Sequence, residues 1–149
     1  GAEPVALLPR GADAVDSTAW IATAQQLRDM RRRLVDLRSR PDELLAELAS
    51  PVIAAAAGFA LRAAARRTGV VLEGSAVLAA ALLCVDSQPR AREWWQIADT
   101  SSDPAQNHAL DRLARRPLLD LRAGVGDGLV GLLAVAVLRA AAPSGGADE

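Results

Sequence analysis

Residues 70–85 read Val70-Val71-Leu72-Glu73-Gly74-Ser75-Ala76-Val77-Leu78-Ala79-Ala80-Ala81-Leu82-Leu83-Cys84-Val85. A short, mostly β-branched run is followed by a turn glycine, then by a residue type that caps helices, then by an unbroken apolar stretch. That order predicts a strand over 70–72 and a helix, capped by Ser75, reaching about Val85. The strand is the smaller of the two, and its reading decides between a mixed fold and a helical bundle.

Helices are expected on the N-terminal side of this stretch. Pro41 and Pro51 each stand where a helix begins, and the second helix carries VIAAAAGFALRAAARR to a stop at Gly69. Asp16-Ser17-Thr18 is an N-cap cluster for a long helix to about Ser39, in which Leu27, Met30, Leu34 and Leu37 recur at three- and four-residue steps on one face. Pro4-Val5-Ala6-Leu7-Leu8, ended by Pro9, is expected to be a buried strand.

On the C-terminal side, Arg92 to Ala98 is the mixed segment REWWQIA. Asp103-Pro104 pairs a cap with a first-turn proline for a helix ending near Arg116. Pro117 to Leu121 is expected to be the last strand, and a glycine stretch leads from it into a final apolar helix. Residues 143–149, PSGGADE, are expected to be a disordered tail.

Strands about 22 to 26 residues apart, separated by helices, predict a helix-rich α/β domain over residues 1–142, with a short parallel sheet of about four strands. The alternative is an all-helical bundle, because each strand covers only a few residues.

Composition narrows the chemistry. The chain has 149 residues, 51% of them apolar, and a formal net charge of −1, so no overall field calls for nucleic acid or an anionic membrane. Every basic residue is arginine, which excludes a Schiff-base or phosphate-loop lysine. The single cysteine, Cys84, cannot close an internal disulfide and reads as a small buried hydrophobe. One cysteine and the lone His108 cannot build a zinc cluster, and neither a metal nor a cofactor is expected. His108 lies mid-helix and reads as a solvated or half-buried residue rather than a catalytic base. The arginines from Arg28 to Arg40 spread around a helix with Asp29 and Asp36 among them, which describes a solvated face. Of Trp94 and Trp95, neighbours that point in different directions, at least one is expected in the core.

No apolar run approaches the roughly 20 residues of a membrane span, and the opening GAEPVALLPRG lacks the basic start and long apolar stretch of an export signal. A cytoplasmic location is expected.

The segment GDGLVG, Gly126 to Gly131, satisfies the G-x-G-x-x-G spacing of dinucleotide loops. That fingerprint requires a further strand with an acidic residue about 20 positions on. Only a helix and a tail follow here, so the dinucleotide reading fails. Two readings stay open: a glycine turn offering free N–H groups to an anion at a helix N-terminus, and a plain tight turn with Asp127 as the helix cap.

Several pieces, in order, resemble the C-terminal part of the nicotinate-nucleotide:dimethylbenzimidazole phosphoribosyltransferases, which make α-ribazole phosphate for the lower ligand of cobalamin. They are PVIAAAAGFALRAAARR, VVLEGSAVLAAALL, the turn Ser101-Ser102-Asp103-Pro104, HALDRL, PLLDLRAGVGDG and the final apolar helix. The resemblance implies a parallel α/β domain, a small helical domain and homodimers. It places ligand-binding residues at Gly74, Ser101, Ser102, Asp103, Gly124, Gly126, Asp127 and Gly128. The family's loop reads G-E-G-[ST]-G, and its glutamate is the general base.

Here Val125 occupies the glutamate position and cannot accept a proton, a loss that typically costs about 10² to 10⁴ in rate. The family's histidines before the next helix are replaced by Asp99 and Gln106. Its G-E-M-G-I-G-N-T-T segment has become Arg10 to Thr18, in which the acidic residue is lost or, with a shifted register, replaced by Asp13, and its G-R-G-T-G loop and N-terminal half have no counterpart.

The resulting expectation is a divergent member, non-catalytic alone, that serves as a binding or partner subunit for a nucleotide or benzimidazole ligand in a homo-oligomer or with another protein. One alternative is an active phosphoribosyltransferase domain completed by another chain, with Asp127 or Asp13 as base. The other is a helical interaction module.

Overall fold

The computed structural model describes residues 2–9, 17–124 and 127–142. Helix α1 spans Ser17–Leu34, α2 Pro41–Leu48 and α3 Pro51–Ala65; strand β1, Val70–Leu72, then leads into α4, Ser75–Ser87. A 3₁₀ segment, Pro89–Trp94, precedes β2, Trp95–Asp99; α5, Pro104–Leu113, β3, Pro117–Leu119, and α6, Leu129–Ala141, complete the described elements. The strands form a parallel sheet in the order β1-β2-β3, so the all-helical bundle and the helical-module reading fall away. Val70 lies opposite Trp95 and Leu72 opposite Ile97, while on the other edge Ile97 and Asp99 lie opposite Pro117 and Leu119.

Helices cover both faces, as a parallel sheet requires. The twofold alternation of strand side chains sends Leu72, Trp95 and Ile97 to one side, where they join Ala57, Ala60 and Ala64 of α3, Ala80, Ala81 and Cys84 of α4, and Leu110 and Leu113 of α5. On the other side Ala98 meets Val130 and Ala134 of α6, with Val71, Leu118 and Leu119 packed around them. The alanine-rich contact between α3 and α4 brings the backbones close enough for the Cys84 thiol to donate to the Ala57 carbonyl at 3.5 Å. Burial pushes the Cys84 pKa up to about 11, so the thiol is an inert packing group. Trp95 is the large buried aromatic of the pair, and Trp94 is half-buried.

Prolines and caps set the helix starts. Pro41, Pro51 and Pro104 each occupy the first turn, Ser50 Oγ accepts the Ile53 N–H at 3.4 Å, and Asp103 Oδ1 accepts the Ala105 N–H at 2.9 Å. At α4 the expectation is corrected. Gly74, with φ of 86°, is the N-cap, and Ser75 is the first helical residue, its hydroxyl donating to Asp103 Oδ2 at 3.2 Å.

The strand expected at Pro4–Leu8 is also corrected. Pro4–Ala6 is a 3₁₀ turn, closed by the Leu7 N–H to the Pro4 carbonyl, so the described sheet has three strands. An apolar run makes a strand only where a sheet edge accepts its backbone. This one instead packs beside α1, where Trp20 Nε1 donates to the Pro9 carbonyl and Arg31 pairs with Glu3. The tail, residues 143–149, lies outside the described residues.

Leu113 is 1% exposed between α5 and the sheet, whereas Ile21 on α1 is 51% exposed. Leu113→Ala is expected to lose about 2–5 kcal/mol of unfolding free energy. Ile21→Ala should change it by no more than about 0.5 kcal/mol, and urea titration followed by tryptophan fluorescence measures both.

Candidate functional site: a cleft at the strand ends

Because the strands are parallel, Leu72, Asp99 and Leu119 all finish on one edge of the sheet, and the segments that follow them converge there. This is where open α/β sheets bind ligands. The convergence encloses a cavity of about 20 Å³, the space one water needs. Leu72, Leu78, Ile97 and Val130 form its apolar wall; Glu73, Asp99, Thr100, Ser101 and Gln106 supply polar groups, and Gly74 and Gly124 complete it.

Asp99 organises the loop after β3. Its Oδ1 accepts the Leu121 N–H at 2.6 Å and its Oδ2 accepts the Ala123 N–H at 3.0 Å. Burial pulls the carboxyl pKa up, but the backbone donors of Ala123, Leu121, Arg122 and Thr100 outweigh it and hold Asp99 below its ordinary value of 3.8. Beside it, Thr100 donates its hydroxyl to Asp120 Oδ1 at 2.5 Å and its N–H to the Leu119 carbonyl at 3.1 Å. The same loop turns through Arg122 and Gly124 at positive φ of 51° and 66°.

Glu73 organises the next helix. Its Oε2 accepts the Gly131 N–H in the first turn of α6 at 2.6 Å. A negative group is stabilised at that position by the unsatisfied amides and the helix dipole. The third glycine of GDGLVG is explained by this contact, since a Cβ at Gly131 would stand 3.0 Å from Glu73 Oε2. The reading of Asp127 as the helix cap is thereby corrected, and one amide of the anion reading is accounted for. The Gly131 amide is already taken by an internal carboxylate, and the α6 N-cap is Gly128, φ 83°, rather than Asp127.

Of the residues expected to bind ligand, Gly74, Ser101 and Gly124 line the cleft. Ser101 and Asp103 spend polar atoms on the turn: Ser101 Oγ accepts the Asp103 N–H at 3.0 Å, and the Ser101 carbonyl accepts from Asn107 Nδ2 at 3.0 Å. Ser102 is exposed and sits with Pro104 in a separate shallow groove beside Ala6 and Pro9. Asp127 and Gly128 are exposed at the start of α6. Val125, Gly126 and Asp13 lie outside the described residues. The sequence reading missed Glu73 as a cleft residue, although its place directly after a predicted strand was a usable signal. His108 is half-buried in α5 and does not line the cleft. Among the described residues no group of three metal-ligating side chains occurs.

This geometry can be set beside known proteins. A family model described as phosphoribosyltransferase matches residues 1–144. The chain belongs to the dimethylbenzimidazole phosphoribosyltransferase family. The nicotinate-nucleotide–dimethylbenzimidazole phosphoribosyltransferase of Corynebacterium glutamicum strain R is 41% identical over 127 residues, which is 85% of this chain and 35% of that protein. The enzymes of that name from Streptomyces avermitilis and Mycobacterium ulcerans are 38% and 40% identical, over 95% and 93% of this chain and 38% of each relative. The crystal structure of CobT from Thermus thermophilus superposes with a TM-score of 0.78 at 32% identity, covering 92% of this chain and 40% of that one. The chain therefore spans well under half the length of the relatives it matches.

The lowered Asp99 pKa makes the loop acid-sensitive. A group depressed in the folded state contributes stability that is fully present above its unfolded value, near 3.8, and is lost as pH falls through the lower folded value. Amide exchange at Leu121 and Ala123 is expected to accelerate, beyond the intrinsic pH dependence, as the pH drops below about 4. In Asp99→Asn that extra acid-induced acceleration should be absent.

Proposed function

We propose that this chain supplies the strand-end part of a phosphoribosyltransferase site, binds a nucleotide or benzimidazole there, and does not carry out the transfer by itself. Three observations support this reading: family membership, the cleft at the C-terminal ends of the parallel strands, and the identity of Val125 at the position where the resemblance puts a glutamate base. The identity of Val125 carries most weight. A valine offers no lone pair to the departing proton, and Asp99 has both carboxylate oxygens engaged by Leu121 and Ala123. The chain then acts as a binding or partner subunit, and the remaining parts of the site come from residues beyond these 149.

The purified chain, incubated with nicotinate mononucleotide and dimethylbenzimidazole, is expected to form no ribazole phosphate detectable by chromatography. Val125→Glu, combined with the chain or segment that completes the site, should raise turnover by about 10² or more.

A second reading makes the domain active once another chain completes it, with Asp127 or Asp13 as base. The exposed position of Asp127, with no hydrogen bond among the described residues, favours that version of it. Turnover in the wild-type chain that Asp127→Asn abolishes would establish it in place of the first.

The surface supports a partner. Helix α6 is apolar nearly all round; Val130 and Ala134 are its only buried residues, and Leu129, Leu132 and Leu133 face outward, Leu132 being 72% exposed. On α3, Val52 and Phe59 are also exposed. A helix apolar on every side belongs in an interior, and large exposed apolar patches mark interaction surfaces. Light scattering at micromolar concentration is expected to give a mass above 15.5 kDa. A clean monomer would remove this part of the proposal.

A further inference from the structure

Glu73 carries more than the start of α6. Its Oε2 is fixed on the Gly131 amide at 2.6 Å, while its Oε1 is buried without a hydrogen-bond partner among the described residues. A buried carboxylate oxygen left unpaired is costly, and native structures almost always supply it with a donor. The anchored Oε2 prevents the side chain from turning away to find one. Glu73 lines the strand-end cleft, and three of the neighbouring polar side chains have other partners: Asp99 holds the loop amides, Thr100 donates to Asp120, and Ser101 Oγ accepts from the Asp103 amide.

We infer that Glu73 is the ligand-accepting group of this cleft, with Oε1 taking a hydrogen bond from an N–H or O–H of the bound molecule while Oε2 holds α6 in place. The inference rests on the preceding reading that the cleft binds a nucleotide or benzimidazole. It also specifies which end of the ligand enters. The cavity of about 20 Å³ accommodates one donor group in place of a water, not a phosphate. Glu73 and Asp99 give it acidic walls, and none of the described residues lining it is basic. A phosphate is repelled from this position, whereas a ring N–H or a ribose hydroxyl is attracted. The side-chain amide of Gln106, also in the cleft lining, makes no hydrogen bond among the described residues and is available to a second heteroatom of the same ligand.

The test compares wild type and Glu73→Gln by calorimetric titration with 5,6-dimethylbenzimidazole, its N-methylated derivative and nicotinate mononucleotide. The glutamine oxygen can still accept the Gly131 N–H, and its amide then presents donors to the cleft where the carboxylate presented an acceptor. Glu73→Gln should unfold as cooperatively as wild type yet bind 5,6-dimethylbenzimidazole about 10- to 100-fold more weakly. The N-methylated ligand should lose a similar factor on wild type and little more on the variant, the signature of a coupled pair. If the dependence on Glu73 appears with nicotinate mononucleotide instead, the donor is a ribose hydroxyl and the assignment of Glu73 stands. Unchanged binding of both ligands by Glu73→Gln overturns the assignment and leaves the proposed function intact. Failure of wild type to bind either ligand overturns both. A readout independent of the variant is the Glu73 carboxyl carbon-13 signal of wild type, which must move on binding. If it stays in place with either ligand bound, Oε1 holds only a water and the inference fails.

Discussion

Strand β2 is hydrogen-bonded on both edges, to β1 from Trp95 to Ile97 and to β3 from Ile97 to Asp99, and both pairings are parallel. Each strand must therefore return to the same starting edge before it can pair, which is why a helix or helical turn intervenes every time. The same constraint brings the three C-terminal ends together. Trp95, Ile97 and Ala98 are each no more than 1% exposed, so the central strand is sealed between two helical layers and cannot shift without emptying both cores. The cleft exists because β2 is held in this register.

Two carboxylates at the strand ends then convert a loosely specified connection into a defined one. Asp99 grips residues 121–123 through their amides, and Glu73 grips α6 through Gly131. These are charge-assisted bonds to backbone donors, stronger than neutral ones. The exposed pair Asp120–Arg122, with both side chains about 70% exposed, adds little by comparison. The acidic lining also sets the polarity of the site, which favours hydrogen-bond donors over anions.

Apolar surface is distributed unevenly over the two faces of the sheet. The core under α3, α4 and α5 is continuous and rich in alanine, whereas α6 sits as a single layer with its outer side bare. A three-layer sandwich is complete on one face of the sheet and thin on the other. The bare helix begins at the mouth of the cleft, where Gly124 and Val130 belong to the lining.

The amino-acid sequence by itself determined the helix starts at Pro41, Pro51 and Asp103-Pro104, the strands at Val70–Leu72 and near Pro117, and the parallel α/β class, because prolines, caps and short β-branched runs act through local backbone energetics. It also carried the family, through ordered motifs, and the identity of Val125. Only the tertiary structure decided that Pro4–Ala6 turns instead of pairing, that Gly74 and not Ser75 caps α4, and that the α6 N-terminus is filled by Glu73. Glu73 and Gly131 are 58 positions apart, as far beyond local energetics as the sheet edge that Pro4–Ala6 lacks. Such contacts depend on which segments the packed sheet brings within hydrogen-bond reach, and no local pattern encodes that distance.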